Sequence, residues 1–335
     1  MNYRSLSQLT DQVWAWAREL PGDLDLVVGV PRSGLLVANL LAVFRNLPLT
    51  DVDGLLEGRI IATGRRYKGA LREGAAAEPL KVLVVDDSVW GGGTMQRVKA
   101  KLGAADLPHQ ISFGAVYVRP GFEGEVDFYC EALDIPRFFE WNIIHHKVLH
   151  HSCMEIDGVL CEVPDERTDV PDRDEEALVR ARPLLLPTEK IGWLVTARPE
   201  RYRPATEEWL SEHGVEYGEL IMMSPLQQRE RRDTAASAFK AEVYNRTAAK
   251  LFYEGSPERA IRLASYVDKP VFCVESMQMV GSGAVLEPRY VTPRHSGFKW
   301  ILSVARLRVR KQLSKGMRAA RALVGDSRAM VVKGS

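Results

Sequence analysis

Two adjacent carboxylates, Asp86 and Asp87, end an apolar run that begins at Lys81, and Ser88-Val89-Trp90-Gly91-Gly92-Gly93-Thr94 follows them. Each part of this segment can do a separate job. A buried strand delivers acids to the carboxyl end of a sheet, where open α/β folds bind their ligands. Glycines let backbone N–H groups close around a phosphate, and the next helix adds the positive end of its dipole. Ser88 and Thr94 add hydroxyls. A second loop of this kind lies upstream, where Val27-Val28-Gly29-Val30 runs into Pro31-Arg32-Ser33-Gly34. Arg32 and the Ser33 and Gly34 amides are suited to stabilising charge that builds on an anionic leaving group. Between the two loops, the segment from Thr63 through Ala77 carries Arg65, Arg66 and Lys68 around Tyr67.

The 82–94 segment resembles the phosphoribosyl diphosphate motif of type I phosphoribosyltransferases, in which two acids and a Gly/Thr-rich loop follow a hydrophobic strand. The resemblance implies that Asp86 and Asp87 hold the ribose 2- and 3-hydroxyls, while Gly91, Gly92, Gly93 and Thr94 cradle the 5-phosphate. Pro31-Arg32-Ser33-Gly34 resembles that family's diphosphate loop. The 63–77 stretch resembles its mobile loop, whose cations Arg65, Arg66 and Lys68 would screen the diphosphate and exclude water. Phosphoribosyl diphosphate with Mg2+ is the substrate so implied. Trp90 departs from the pattern, standing where the family often has a small residue.

A second constellation begins at Met154-Glu155-Ile156-Asp157-Gly158. It resembles the first motif of the haloacid dehalogenase superfamily, Asp-x-Asp-Gly after a strand, whose first Asp is a nucleophile for phosphoryl groups and whose second moves a proton. Asp157 matches the second position, and Glu155 stands at the first. Thr196, ending Leu194-Val195-Thr196, resembles the phosphate-binding Ser or Thr, and Lys240 the phosphate-neutralising lysine. Glu254, in Tyr253-Glu254-Gly255-Ser256-Pro257, resembles an acidic motif that holds magnesium and often carries two acids. The resemblance implies Mg2+ held by Glu155, Asp157 through its carbonyl, and Glu254. The extra methylene of Glu155 displaces its carboxylate by on the order of 1 Å, which can lower a rate about a hundredfold. A slow phosphatase, an altered nucleophile and a phosphate-binding relic are the three roles open to this half, with the first in front.

These residues need elements to hold them. Leu6, Leu9, Val13, Trp16 and Leu20 recur at helical spacing until Pro21-Gly22. Strands are expected at 24–30, 81–85, 111–118 and 126–131, with helices at 35–44 and 94–102 between them, the pattern of a parallel sheet flanked by helices. A new α/β unit is expected from Ser152, with strands at 152–156, 191–195, 250–253 and 270–274. The expected fold class is α/β in two domains. Residues 1–148 form a type I phosphoribosyltransferase domain and 149–285 a Rossmann-like haloacid dehalogenase domain. The latter has little or no cap, because few residues separate its first two motifs. A basic tail, 286–335, carries a helix at 298–324.

Composition narrows the partners. With Lys plus Arg at 45 and Asp plus Glu at 44, no global field points to nucleic acid. Four cysteines without metal-ligand spacing, no signal-peptide pattern and no membrane-length apolar run lead to the expectation of a soluble cytoplasmic protein. The tail from Pro288 to Gly325 contains no acid but has Lys299, Arg306, Arg308, Arg310, Lys311, Lys315, Arg318 and Arg321. A surface helix packed on the second domain, a peripheral membrane contact suited to a lipid-linked acceptor, and a nucleic-acid contact are its three readings. Self-association is left open.

The leading functional expectation is a two-step enzyme. It transfers 5-phosphoribosyl to a glycan, lipid-linked glycan or small molecule, then removes the 5-phosphate to give net ribosylation. One alternative is purine- or orotate-type salvage with an inactive second domain, in which the aromatic stretch Phe138–Trp141 could stack a base. Another is a nucleic-acid-binding regulator that senses phosphoribosyl diphosphate.

Overall fold

The computed structural model describes residues 1–64, 66–67, 79–163, 176–224 and 232–281. The tail helix expected at 298–324 and most of the expected mobile loop lie outside the described residues. The described residues belong to one compact unit built on two parallel-type sheets.

The first sheet contains β2 (Leu26–Gly29), β3 (Leu49–Asp51), β4 (Lys81–Val89), β5 (Gln110–Val118) and β6 (Phe128–Ala132) in the order β3-β2-β4-β5-β6, all parallel. Three helices connect its strands: α2 (Ser33–Arg45), the short α3 (Val52–Leu56) and α4 (Gly93–Gly103). Another, α1 (Leu6–Glu19), starts with a capping box at Ser5 and Gln8, and buries Leu9, Val13 and Trp16. One apolar layer joins Leu83 and Val85 to the α1 and α2 side, and the opposite layer joins Val82 and Val84 to Leu102 of α4. Strands covered on both faces read as continuous apolar runs, which is why β2 and β4 stand out in the sequence.

The order reverses between β2 and β4, and that is where a ligand crevice forms in such sheets. The strand lengths open it further. Pairing of β2 with β4 ends at Gly29 opposite Val85, whereas β4 continues along β5 as far as Val89 opposite Val118. Residues 86–89 therefore have a strand partner on one side only.

The second sheet has the order β10-β9-β8-β11-β12-β13. Its strands are β8 (Ser152–Met154), β9 (Ile191–Pro199), β10 (Tyr217–Met223), β11 (Leu251–Glu254), β12 (Val271–Cys273) and the antiparallel β13 (Gln278–Val280). Helices α5 (Arg203–Glu212), α6 (Arg232–Arg246) and α7 (Pro257–Ala264) flank it. Its reversal lies between β8 and β11, which places Glu155 and Glu254 at neighbouring strand ends. A two-stranded ribbon of β1 (Asn2–Arg4) and β7 (Arg137–Phe139) touches both sheets' layers. Tyr3 donates its hydroxyl to the Met277 carbonyl at 2.6 Å and packs on Phe272.

Candidate active site

Contacts between the two loops define the first constellation. Gly34 opens α2 directly on β4: a Cβ there would lie 2.6 Å from the Val85 carbonyl oxygen and 3.0 Å from Asp86 Oδ1. Only glycine permits that approach. The Ser33 hydroxyl donates to Asp87 Oδ1 at 2.9 Å, and the Trp141 indole N–H donates to Asp87 Oδ2 at 2.7 Å. Trp141 is itself fixed by stacking on Phe139, ring centroids 4.8 Å apart. Asp86 Oδ1 accepts the Asp87 backbone N–H at 2.8 Å. Burial, then the charge of Asp87, pushes the Asp86 carboxyl up to about 8, and no cation counters it among the described residues.

Both helices at this crevice begin without a side-chain cap, in contrast to α1. Their first-turn N–H groups are thus left for another acceptor. Pro31 and Arg32 are exposed ahead of α2, joined by a cis peptide bond. At α4, Gly92 takes a φ of 75° and serves as the N-cap, with Gly91, Gly93 and Thr94 exposed around it. Ser88 is half-buried at the end of β4. Arg97 donates to the Thr94 hydroxyl at 3.2 Å, while Glu125 stands against Gly92 and accepts from Gln96. Arg66 is exposed, its carbonyl accepting from Asn46. Arg65 and Lys68 lie outside the described residues.

The second constellation also converges, but it is charge-closed. Lys240 Nζ lies 2.5 Å from Glu155 Oε2 and 2.5 Å from Glu254 Oε2. Arg198 meets Asp157 Oδ1 through Nη2 at 2.7 Å and Nε at 3.1 Å. Arg259 donates through Nε to Glu254 Oε1 at 2.9 Å and through Nη2 to the Asp157 carbonyl at 3.3 Å. Three carboxylates face three cations, and Glu155, Glu254, Lys240 and Arg198 are all buried. Burial alone would raise the Glu155 carboxyl, but Lys240, helped by the Thr196 hydroxyl, holds it down at about 2. Lys240 is held above its ordinary range: burial opposes its charge, and Glu155 and Glu254 outweigh that.

The expected magnesium ligands therefore do not fit an added divalent cation. Two of the oxygens that would hold it, the Asp157 carbonyl and a Glu254 carboxylate oxygen, already bind the Arg259 guanidinium. Among the described residues no cluster of His, Cys, Asp or Glu is arranged to hold a metal ion. A cleft of about 350 Å³ beside His150, Gly192 and Glu219 lies at the amino end of β9 and β10, away from these acids.

Sequence reasoning passed over Arg97, Arg119, Arg137, Arg198 and Arg259, and gave Trp141 a different role. The available signals were faint: Arg198 stands two residues beyond Thr196 on one strand, and Arg259 follows Glu254 by five residues in the first turn of α7.

No protein-family model matches the chain, and no curated protein matches it significantly. Solved structures give slight likenesses. A Helicobacter pylori xanthine-guanine-hypoxanthine phosphoribosyltransferase is 14% identical, covering 42% of this chain and 92% of that one, with a TM-score of 0.31. A purine phosphoribosyltransferase from Pyrococcus horikoshii is 23% identical over 42% of this chain and 92% of its own, TM-score 0.30. A hypothetical protein from Neisseria gonorrhoeae with bound ppGpp is 13% identical over 42% and 89%, TM-score 0.30. Likenesses of this size carry no weight in reading the site. Among the described residues, no helix is long and apolar enough to cross a membrane.

Proposed function

We propose that this chain is a phosphoribosyltransferase that moves 5-phosphoribosyl from phosphoribosyl diphosphate to an acceptor at the carboxyl end of the first sheet. The supporting observation is the Ser33–Asp87 hydrogen bond, which joins the diphosphate-type loop to the twin acids at the point where strand order reverses. The ribose hydroxyls would donate to Asp86 and Asp87. The 5-phosphate would take the Gly91–Thr94 amides, with Arg97 beside them. The diphosphate, carrying its Mg2+ as part of the substrate, would take Arg32 and the first amides of α2.

In the transfer step the C1–oxygen bond to diphosphate breaks and the leaving group keeps the electron pair. The acceptor's lone pair forms the new bond to C1, and the acceptor's proton passes to solvent. Positive charge grows on the sugar as this happens, next to a pair of acids that form no salt bridge among the described residues, and fixed negative charge stabilises such a state.

Removal of the 5-phosphate by the second half is not part of this proposal. Asp157 Oδ1 already accepts two N–H bonds from Arg198, which ties that carboxylate to a buried guanidinium. Arg259 stands where a metal would be needed. The product is expected to keep its phosphate, which favours a phosphoribosyltransferase with an inactive second half over net ribosylation.

Isothermal titration of the full chain with phosphoribosyl diphosphate and MgCl2 tests the reading without knowledge of the acceptor. Saturable binding is expected, weakened in Asp87→Asn, and a flat titration would overturn the assignment. Once an acceptor is found, the mass of the product reports whether the phosphate stays.

A further inference from the structure

Two guanidinium groups near the first site, Arg137 and Arg119, form no salt bridge among the described residues. Arg137, on β7, is 3% exposed; its Nη2 donates to the Val89 carbonyl at 2.7 Å, while its buried Nη1 has no hydrogen-bond partner. Its guanidinium carbon lies 5.4 Å from the centre of the Trp90 ring and 5.7 Å from that of Phe139. Arg119, at the end of β5, approaches the same Trp90 ring at 5.7 Å. Trp90 is half exposed at the mouth of the glycine turn.

A buried guanidinium with an unsatisfied N–H is costly to maintain. Burial holds the Arg137 charge below its ordinary range; Asp87 supports the charge and Arg119 opposes it. Two like charges around one indole raise that cost further, unless an anion completes the arrangement. Carboxylates and phosphates do so most effectively, because a guanidinium presents parallel N–H donors.

Position narrows the anion. Phe139 and Trp141 belong to the apolar layer on the α1 and α2 side, and Trp141 holds Asp87 from that side. Helix α4 packs Leu102, in its last turn, in the opposite layer and Met95, in its first turn, beside Val89. Arg137 bonds the Val89 carbonyl and lies within electrostatic reach of Asp87, so it stands near the twin acids as well as the glycine turn.

Resting on the transferase reading above, we propose that Arg137 and Arg119 bind a carboxylate on the acceptor, whose planar portion lies against Trp90. The acceptor class is thus a planar acid rather than a neutral base, sugar or lipid-linked glycan. In this arrangement Trp90 has a use: its indole screens Arg137 from water until the acceptor arrives, and its face supports both cations.

Matched pairs of planar compounds that differ in one carboxylate test the idea on the full chain. Orotate against uracil and nicotinate against nicotinamide are the probes, read by quenching of tryptophan fluorescence in the presence of phosphoribosyl diphosphate. The acid of at least one pair is expected to bind about tenfold or more tightly than its neutral partner. Arg137→Met should remove that preference, Arg137→Lys should restore part of it, and Arg119→Met should reduce it. Circular dichroism establishes that each variant folds. Because Arg119 is not fully buried, its variant keeps the test open should Arg137→Met fail to fold.

Equal binding of acid and neutral partner, or no binding of any probe, would overturn the proposal. So would a loss of phosphoribosyl diphosphate affinity in Arg137→Met equal to the loss of acid binding, since that would put Arg137 in the phosphate pocket. Titration of the wild-type chain with phosphoribosyl diphosphate alone separates this failure from failure of the transferase reading: if it binds while the acids do not, only the acceptor assignment falls.

Discussion

The two sheets place acids in the same position, at strand ends beside a reversal of strand order, and surround them with opposite electrostatics. Asp86 and Asp87 meet a hydroxyl, an indole N–H and each other, and burial drives the Asp86 carboxyl upward. Glu155, Asp157 and Glu254 meet Lys240, Arg198 and Arg259, and the Glu155 carboxyl is driven downward. A site that awaits a ligand keeps charge unsatisfied and accepts the cost in stability. A cluster that has settled its charges internally has little left to offer substrate. Similar topology thus leaves the acids of the first half without salt bridges and those of the second half fully paired.

The largest effect that could break this contrast lies in the second half. Lys240→Met leaves Glu155 and Glu254 as buried carboxylates without their shared cation, and breaking a buried pair in this way costs about 3–5 kcal/mol. Urea unfolding of the full chain should show a loss of that size. The triple variant Glu155→Gln, Lys240→Met, Glu254→Gln should recover most of it, because it removes the three charges together. A mild effect from Lys240→Met alone would mean that the cluster is open to water and available for chemistry.

In the first half, substitution should spare stability and damage function. Asp87→Asn keeps the shape of the side chain but removes its charge from the proposed sugar site, and its amide cannot accept from both Ser33 and Trp141 as the carboxylate does. Transfer should fall about a hundredfold, as misplacement and lost electrostatic support in an active site commonly produce. Diphosphate release measured at saturating substrate checks this. Near-normal turnover would remove Asp87 from the site and the contrast with it.

The sequence revealed these two clusters unequally. The run Val82–Asp87 and the triple glycine were readable because an apolar strand, adjacent acids and a glycine turn are each local patterns. Strands β2, β4 and β5 and helices α1, α2 and α4 were expected close to where they occur, whereas β3, β10 and β13 are short or mixed in polarity and left no periodic trace. Strand β4 proved longer than its apolar run, since Asp86, Ser88 and Val89 still pair with β5. The donors that meet these acids were unreadable for a different reason. Arg198 reaches Asp157 across 41 positions and Trp141 reaches Asp87 across 54, so each partnership exists only once the strands are assembled. A motif can announce its acids, but whether they arrive free or neutralised is a property of the packed fold.

That distinction has a consequence in pH, smaller than either substitution. Asp86 is pushed up to about 8 in the folded chain, against roughly 3.9 when unfolded. Between those values the folded chain holds a proton that the unfolded chain has released, so the contribution to stability is full below about pH 4 and is lost as pH rises through about 8. The slope cannot exceed about 1.4 kcal/mol per pH unit, and about 1 kcal/mol between pH 6 and 7 is expected. Glu155 behaves the other way. Held at about 2, it contributes stability above about pH 4.5 and loses it only as pH falls toward 2, so it is silent near neutrality. Urea midpoints at pH 6, 7 and 8 for the wild type and Asp86→Asn isolate the first group from histidines that titrate nearby. The wild type should lose stability across the series, and the difference between the two chains should widen in favour of Asp86→Asn. A constant difference would mean that Asp86 is already ionised and compensated, and the electrostatic contrast between the two halves would disappear.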